Sequence, residues 1–322
     1  MESCRNVMLP LVYAEARQQL QRAGTKSNIA IADVVAYSLN RLSPLFIARQ
    51  DEWQKQIPLL QNTLRGRISE VVHQAILQVR KPRLQSVTPL TATELATPMY
   101  TLLRLRELLK KPQMTWLELP QCLEEYLLQI NPQSGSIPIN KYVSKRKEDT
   151  SLIPSKADYD DYTLPATIGV VNSIEQLIYR LAVHRLDTLP PKLSAYARLI
   201  PVDEVMAVAL NCLPPMYATT QEGLKRLRYY SKIHIGSQLA EIVTKAVITL
   251  GQEASKSFSI PILIFQNIRQ ERQEAMARLN WMLKRKDINW ENSYAVILEA
   301  IDRLRLTGNL DWQRIKAVEE NS

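Results

Sequence analysis

Residues 225–232 read Lys-Arg-Leu-Arg-Tyr-Tyr-Ser-Lys. On a helix, Lys225, Arg228, Tyr229 and Lys232 fall at i, i+3, i+4 and i+7 and share one face. Arg226 and Tyr230 flank it, and the apolar stripe Leu224, Leu227, Ser231, Ile235 lies beside it. An arginine fork pairs bidentately with phosphate or stacks on a flat ring, and tyrosine stacks as well. The chemistry open to such a face is recognition of a phosphate-bearing, planar ligand. The plainer reading is a solvated basic face whose rings lie against a neighbour.

Two asparagines recur in matched settings. Asn40 and Asn211 each end an apolar, helix-like run before a proline. A C-cap or a bond to a turn carbonyl is the local role for such a residue, and a hydrogen bond to a ligand is the other. Tyr217 follows Pro214-Pro215 and is either a core aromatic or a stacking ring. His73, His184 and His234 stand apart and share no metal spacing with Asp, Glu or Cys. The sequence contains no GxGxxG, Walker A, G-x-S-x-G or HExxH pattern. No catalytic constellation emerges, so the chain reads as a non-enzyme without a cofactor. A second basic run, Asn140–Lys147, suits a solvated linker or weak docking onto nucleic acid.

The 322 residues exceed one average domain. Hydrophobic residues make up 46%, enough for a real core. Eight Gly and three Phe disfavour hairpins and strands, whereas the abundance of Leu, Ala, Gln, Arg and Glu favours helix. Three distant cysteines, Cys4, Cys122 and Cys212, exclude a disulfide framework and point to a reducing cytoplasm. The apolar run Ile260–Phe265 is far too short to span a bilayer, so no membrane insertion is expected. A net charge of +9 admits an anionic partner: a nucleotide, a nucleic acid or an acidic protein.

These residues sit on a duplicated frame. Asp33 falls on Glu204, Ala36 on Ala207, Asn40 on Asn211, Pro44 on Pro215 and Ala75 on Ala246, all at an offset of 171. Upstream, Asn6-Val7-Met8 falls on Asn172-Ser173-Ile174 at an offset of 166, because the second copy carries a longer loop. The expected organisation is repeat 1 over 1–82, a helical connector over 83–130, a flexible linker over 131–170, repeat 2 over 171–252 and C-terminal helices over 253–322. Helices are expected over 6–22, 34–42, 62–79 and 221–250, with Pro58 shortening the last helix of repeat 1. Others are expected over 93–111, 115–130, 258–285 and 290–306, with Thr115 and Glu118 at capping-box spacing. Residues 131–168 show no period and are expected to lack helix.

The second copy, EVMAVALNCLPPMYATTQEGL, resembles the ComFB late-competence family, whose pattern is similar to E-V-x-A-x-A-L-N-x-L-P-P-x-Y-x-T-S-x-x-G. The first copy departs: LSPLFIARQDEW lacks the double proline, the Tyr and the Gly. The resemblance implies an all-α chain of two ComFB-like modules forming an internal pseudo-dimer, with extra helices between and after them. In cyanobacterial-type members it implies binding of a cyclic dinucleotide such as c-di-GMP or c-di-AMP, and a link to a transcription factor or a pilus or competence component. The ligand residues to expect are Asn211, Tyr217, Lys225, Arg226, Arg228 and Tyr229, with Asn40 and Arg41 as the fallback between the copies. The alternative is a ligand-free protein–protein adaptor built from degenerate modules.

Overall fold

The computed structural model describes residues 4–22, 29–79, 88–130, 153–189, 200–254 and 260–307. Repeat 1 contributes β1 (Arg5–Asn6), α1 (Met8–Arg22), α2 (Ile31–Leu39), β2 (Phe46–Ile47), α3 (Gln50–Thr63) and α4 (Arg65–Val79). Then come α5 (Pro98–Leu108), α6 (Leu119–Ile130) and α7 (Lys156–Ile168). Repeat 2 contributes β3 (Val171–Asn172), α8 (Glu175–Asp187), α9 (Val202–Asn211), β4 (Tyr217–Ala218), α10 (Gln221–Tyr230), a π-helical turn (Ser231–Ile235) and α11 (Gly236–Ala254). The last helices are α12 (Leu263–Met282) and α13 (Ser293–Thr307). The fold is all-α, as expected, with strands of two residues only. No described helix is long and apolar enough to cross a membrane.

The chain forms two compact units. The first comprises Met1–Leu95 and Ile168–Gln266 and so contains both repeats. In repeat 1 the helices α1, α2 and α4 pack on one another; in repeat 2, α8, α9 and α11 do the same. Their apolar spacing dictates this. Ile68, Val71, Val72, Ala75 and Ile76 bury one face of α4, and Leu239, Val243, Ala246, Val247 and Leu250 bury one face of α11. The middle helix of each repeat is enclosed: Val34, Val35 and Leu39 in α2, and Val205, Met206 and Leu210 in α9, are at most 2% exposed. Ser38 is tolerated in α2 because its hydroxyl donates to the Val34 carbonyl at 2.8 Å.

Each repeat closes with a tiny antiparallel ladder. Asn6 pairs with Phe46 and, equivalently, Asn172 with Tyr217. Asn6 and Asn172 then turn the chain, accepting from the N–H groups of Met8 at 3.0 Å and Ile174 at 3.3 Å. The chain leaving each repeat crosses to the other. The Thr88 carbonyl accepts from the N–H of Gln221 at 3.0 Å, and the Ile260 carbonyl accepts from the N–H of Gln50 at 2.9 Å. Gln50 and Gln221 are the first residues of α3 and α10, so each bond satisfies a helix-start donor that has no partner within its own helix.

Two expectations need correction. Residues 131–168 were expected to lack helix, yet α7 occupies 156–168 with Tyr159 and Tyr162 buried. Ser155 and Asp158 cap its start reciprocally, and the Tyr159 hydroxyl accepts from the N–H of Trp116 at 3.2 Å and donates to Glu271. Those tertiary bonds hold a segment whose own sequence lacks a helical period. The rest of that segment, 131–152, lies outside the described residues. In repeat 1, α3 runs through position 58 rather than being shortened there, and the helix breaks instead at Leu64.

The second unit, Ala96–Thr167 and Asn267–Ser322, contains a duplication that the pattern of residues had not disclosed. At an offset of 174, Arg106 falls on Asn280 and Met114 on Ile288. Arg106 Nε donates to the Met114 carbonyl at 2.7 Å, and Asn280 Nδ2 to the Ile288 carbonyl at 3.0 Å. Lys110 and Lys284, also matched, have φ of 56° and 50° and end their helices in the left-handed region. Thr115 and Glu118 cap each other reciprocally, as do Asn289 and Asn292. Leu105, Leu109, Leu123 and Leu127 are buried, and so are their counterparts Leu279, Leu283, Ile297 and Ile301. A helical hairpin therefore follows each repeat, and the duplicated block is the repeat together with its hairpin. Asn280→Ala is expected to remove both bonds to Ile288, one donated and one accepted, and to lower stability by about 1–3 kcal/mol in urea unfolding.

Candidate functional site

Asn40 and Asn211 are engaged in a way the local reading did not foresee. Asn40 Nδ2 donates to the Tyr217 carbonyl at 2.9 Å, and Asn40 Oδ1 accepts from the Tyr217 N–H at 2.7 Å. Asn211 does the same to Phe46: Nδ2 donates to its carbonyl at 2.9 Å, and Oδ1 accepts from its N–H at 2.6 Å. At the offset of 171, Phe46 is the counterpart of Tyr217. Each repeat therefore grips the short strand of the other with one primary amide, the reciprocal pattern of an isologous interface. Each amide spends one N–H and one oxygen lone pair on the other repeat.

Tyr217 is likewise committed to this interface. It is 6% exposed, and its hydroxyl accepts from Asn6 Nδ2 at 2.6 Å. Burial holds its phenol well above the usual range, so it stays protonated at neutral pH. Thr219 adds a further bond between repeats, donating to Asp33 at 2.6 Å in the first turn of α2. Cys4, Phe46 and Ala48 of repeat 1 lie in the same buried cluster as Ile178, Val205, Leu210 and Val243 of repeat 2. Burial first, then Glu175 and Asp203, pushes the Cys4 thiol up, which keeps it a thiol. Arg41, the other fallback residue, is exposed and folds back on its own helix, with its guanidinium 3.4 Å from the Tyr37 ring centroid.

The basic face of repeat 2 has the opposite character. Lys225, Arg226, Arg228, Tyr229, Tyr230 and Lys232 are all exposed, with Tyr229 at 68% and Tyr230 at 49%. Among the described residues, none of Arg226, Arg228 and Lys232 is ion-paired. The helix start that carries them is well fixed. Thr220 caps it by accepting from the Gly223 N–H at 3.0 Å, and a Cβ at position 223 would stand 3.0 Å from that same oxygen. Repeat 1 has Arg49 and Glu52 at these places, and α3 has no side-chain cap.

Behind the basic face, Leu227, Ser231, Ile235 and Leu239 succeed one another at intervals of four. In an α-helix that spacing drifts by roughly 40° per step. The π turn at Ser231–Ile235 widens the helix and keeps Ser231, Ile235 and Leu239 inward. Repeat 1 meets the same problem at Leu64, the counterpart of Ile235, and answers it with a break. The turn also exposes Ile233 and brings His234 against Tyr230, with ring centroids 4.5 Å apart. The stacked His234 was missed as part of this face; its i+4 spacing from Tyr230 was the available signal. His73 lies elsewhere, in an open groove of about 670 Å³ beside Glu15 and Ser69.

With this geometry in place, comparison with family models matches the late competence development protein ComFB over residues 5–83 and 171–253. The chain belongs to the ComFB family. The matched regions are the two tandem modules that exchange Asn40 and Asn211. Comparison with curated proteins and with solved structures finds no match. The ComFB modules leave unmatched the hairpins that follow them.

Each Asn clamp satisfies a backbone N–H and a backbone C=O at the interface. Asn40→Ala and Asn211→Ala are each expected to cost about 2–4 kcal/mol in denaturant unfolding, because both backbone groups lose their partner. Tyr217→Phe, which removes the hydroxyl's bonds to Asn6 and Asn172 and leaves the clamp on its backbone in place, is expected to cost about 1–2 kcal/mol in the same measurement.

Proposed function

We propose that this ComFB-family chain is a non-enzymatic cytoplasmic receptor for a cyclic dinucleotide, such as c-di-GMP or c-di-AMP, that relays the signal to a regulatory protein. The observation that carries the reading is the exposed cationic and aromatic face of α10 in repeat 2, where Arg226 and Arg228 have no ion pair among the described residues. Lys225, Arg226 and Arg228 offer charge-assisted bonds to two phosphates, and Tyr229 offers a ring to a base. Repeat 1 has Gln54, Lys55 and Ile57 at the places of the three cations. The site is therefore one-sided, although the modules are paired. The helix bearing it continues through the π turn into the core of repeat 2, which gives a bound ligand mechanical access to that module.

The adaptor reading draws on a different observation: Asn40, Asn211 and Tyr217 are spent on holding the modules together. Those three contribute to pairing in either case, so the ligand reading rests on α10 alone. A transcription factor or a pilus or competence component is the partner class proposed, through the family link.

Calorimetric titration of the full chain with c-di-GMP and c-di-AMP separates the two readings. Arg226→Ala and Arg228→Ala should each weaken binding about tenfold or more, the loss of a charge-assisted bond of roughly 1.5–3 kcal/mol. Lys55→Ala should leave affinity unchanged. Absence of heat with the unaltered chain at high micromolar ligand favours the adaptor.

A further inference from the structure

We infer that the α10 face and its π turn form a binding site for single-stranded nucleic acid, an activity beyond the second-messenger reading. The face is not only cationic. Along one stretch of helix, Lys225, Arg226, Arg228 and Lys232 are interleaved with Tyr229, Tyr230 and His234, all of them exposed. Strand binders without sequence preference combine these two parts, cations that follow the phosphates and rings on which successive bases stack. A duplex keeps its bases stacked internally and offers these rings nothing.

Three features favour this occupant. Arg226, Arg228 and Lys232 have no ion pair among the described residues, and only Lys225 interacts with a carboxylate, that of Glu222, so a polyanion has little to displace. Tyr229 and Tyr230 place large rings in water at 68% and 49% exposure, and neighbouring residues 224, 227, 231 and 235 already supply the inward packing. Tyr230 is held against His234 by the π turn, with 37° between the rings, so one stacking surface is ordered before any ligand arrives. The net charge of +9 attracts such a ligand from a distance and makes its capture salt-dependent.

The test is fluorescence anisotropy of the full chain with labelled oligo(U), oligo(dT), a duplex of equal phosphate number and a polyglutamate peptide, at several salt concentrations. The two single strands should bind more tightly than the duplex and the peptide, with affinity falling steeply as salt rises. The Tyr229→Ala/Tyr230→Ala double variant should bind the single strands about tenfold more weakly or worse, with the salt slope kept. The Arg226→Ala/Arg228→Ala double variant should reduce the salt slope by about 1.4, the share of two phosphate contacts on a single strand. These positions are exposed, and an unchanged thermal melt confirms that each variant is folded. No binding of either strand up to roughly 100 μM at low salt overturns the inference. So does equal binding of polyglutamate with no effect of the tyrosine changes, which would make the face a general docking surface for acidic chains. Calorimetry with the cyclic dinucleotides on the same preparations reports on the messenger reading separately, since neither result depends on the other.

Discussion

The paired modules depend on one arrangement, a primary amide laid against the backbone of the other repeat. Asparagine suits it because its side chain offers one donor and one acceptor at the separation of a residue's own C=O and N–H. Asn40 reads Tyr217 in this way and Asn211 reads Phe46. The short strands could not remain buried without such partners, since an unmet backbone group in the interior costs more than a bond in water gains. Because both ends of the exchange lie in one chain, the interface closes on itself, and the crossing arms at Thr88 and Ile260 add a second reciprocal layer.

A dimer of two genes' worth of identical sequence must change both halves together. A duplication in one chain removes that constraint, and the two copies here have separated in chemistry while keeping the interface. Phe46 and Tyr217 occupy one structural place, yet only Tyr217 carries a hydroxyl that Asn6 can reach. Glu52 and Gly223 occupy another, and only the glycine makes room for the Thr220 cap. The run of apolar residues at intervals of four is relieved by a π turn in one copy and a break in the other. The basic aromatic face exists in repeat 2 alone. Divergence at the outer helix beside a shared asparagine clamp is the pattern to expect when pairing is structural.

Much of this was legible from residues. The duplication, the helical class, the turns at Pro44 and Pro214-Pro215 and the exposed character of Lys225–Lys232 follow from periodicity and from a constant offset. The Thr115–Glu118 cap was readable because capping is local in sequence. The second hairpin pair escaped because its conserved parts are not conserved residues. Arg106 and Asn280 share only a donor aimed at a carbonyl eight residues on, and Lys110 and Lys284 share only a backbone conformation. Helix α7 escaped because its stability comes from Tyr159 and Tyr162 packing within its unit, not from an apolar stripe.

Apart from α7 and the break at Leu64, sequence by itself determined which segments become helix, which faces turn inward and where cations gather, since those properties depend on neighbours within a few residues. It also determined that two modules exist. Tertiary structure alone decided what Asn40, Asn211 and Tyr217 do. An asparagine at a helix end has many short-range uses, and a partner 177 or 165 residues away is visible only once the chain has folded. The same folding event set those three residues at the interface between the repeats and left the cations of α10 exposed.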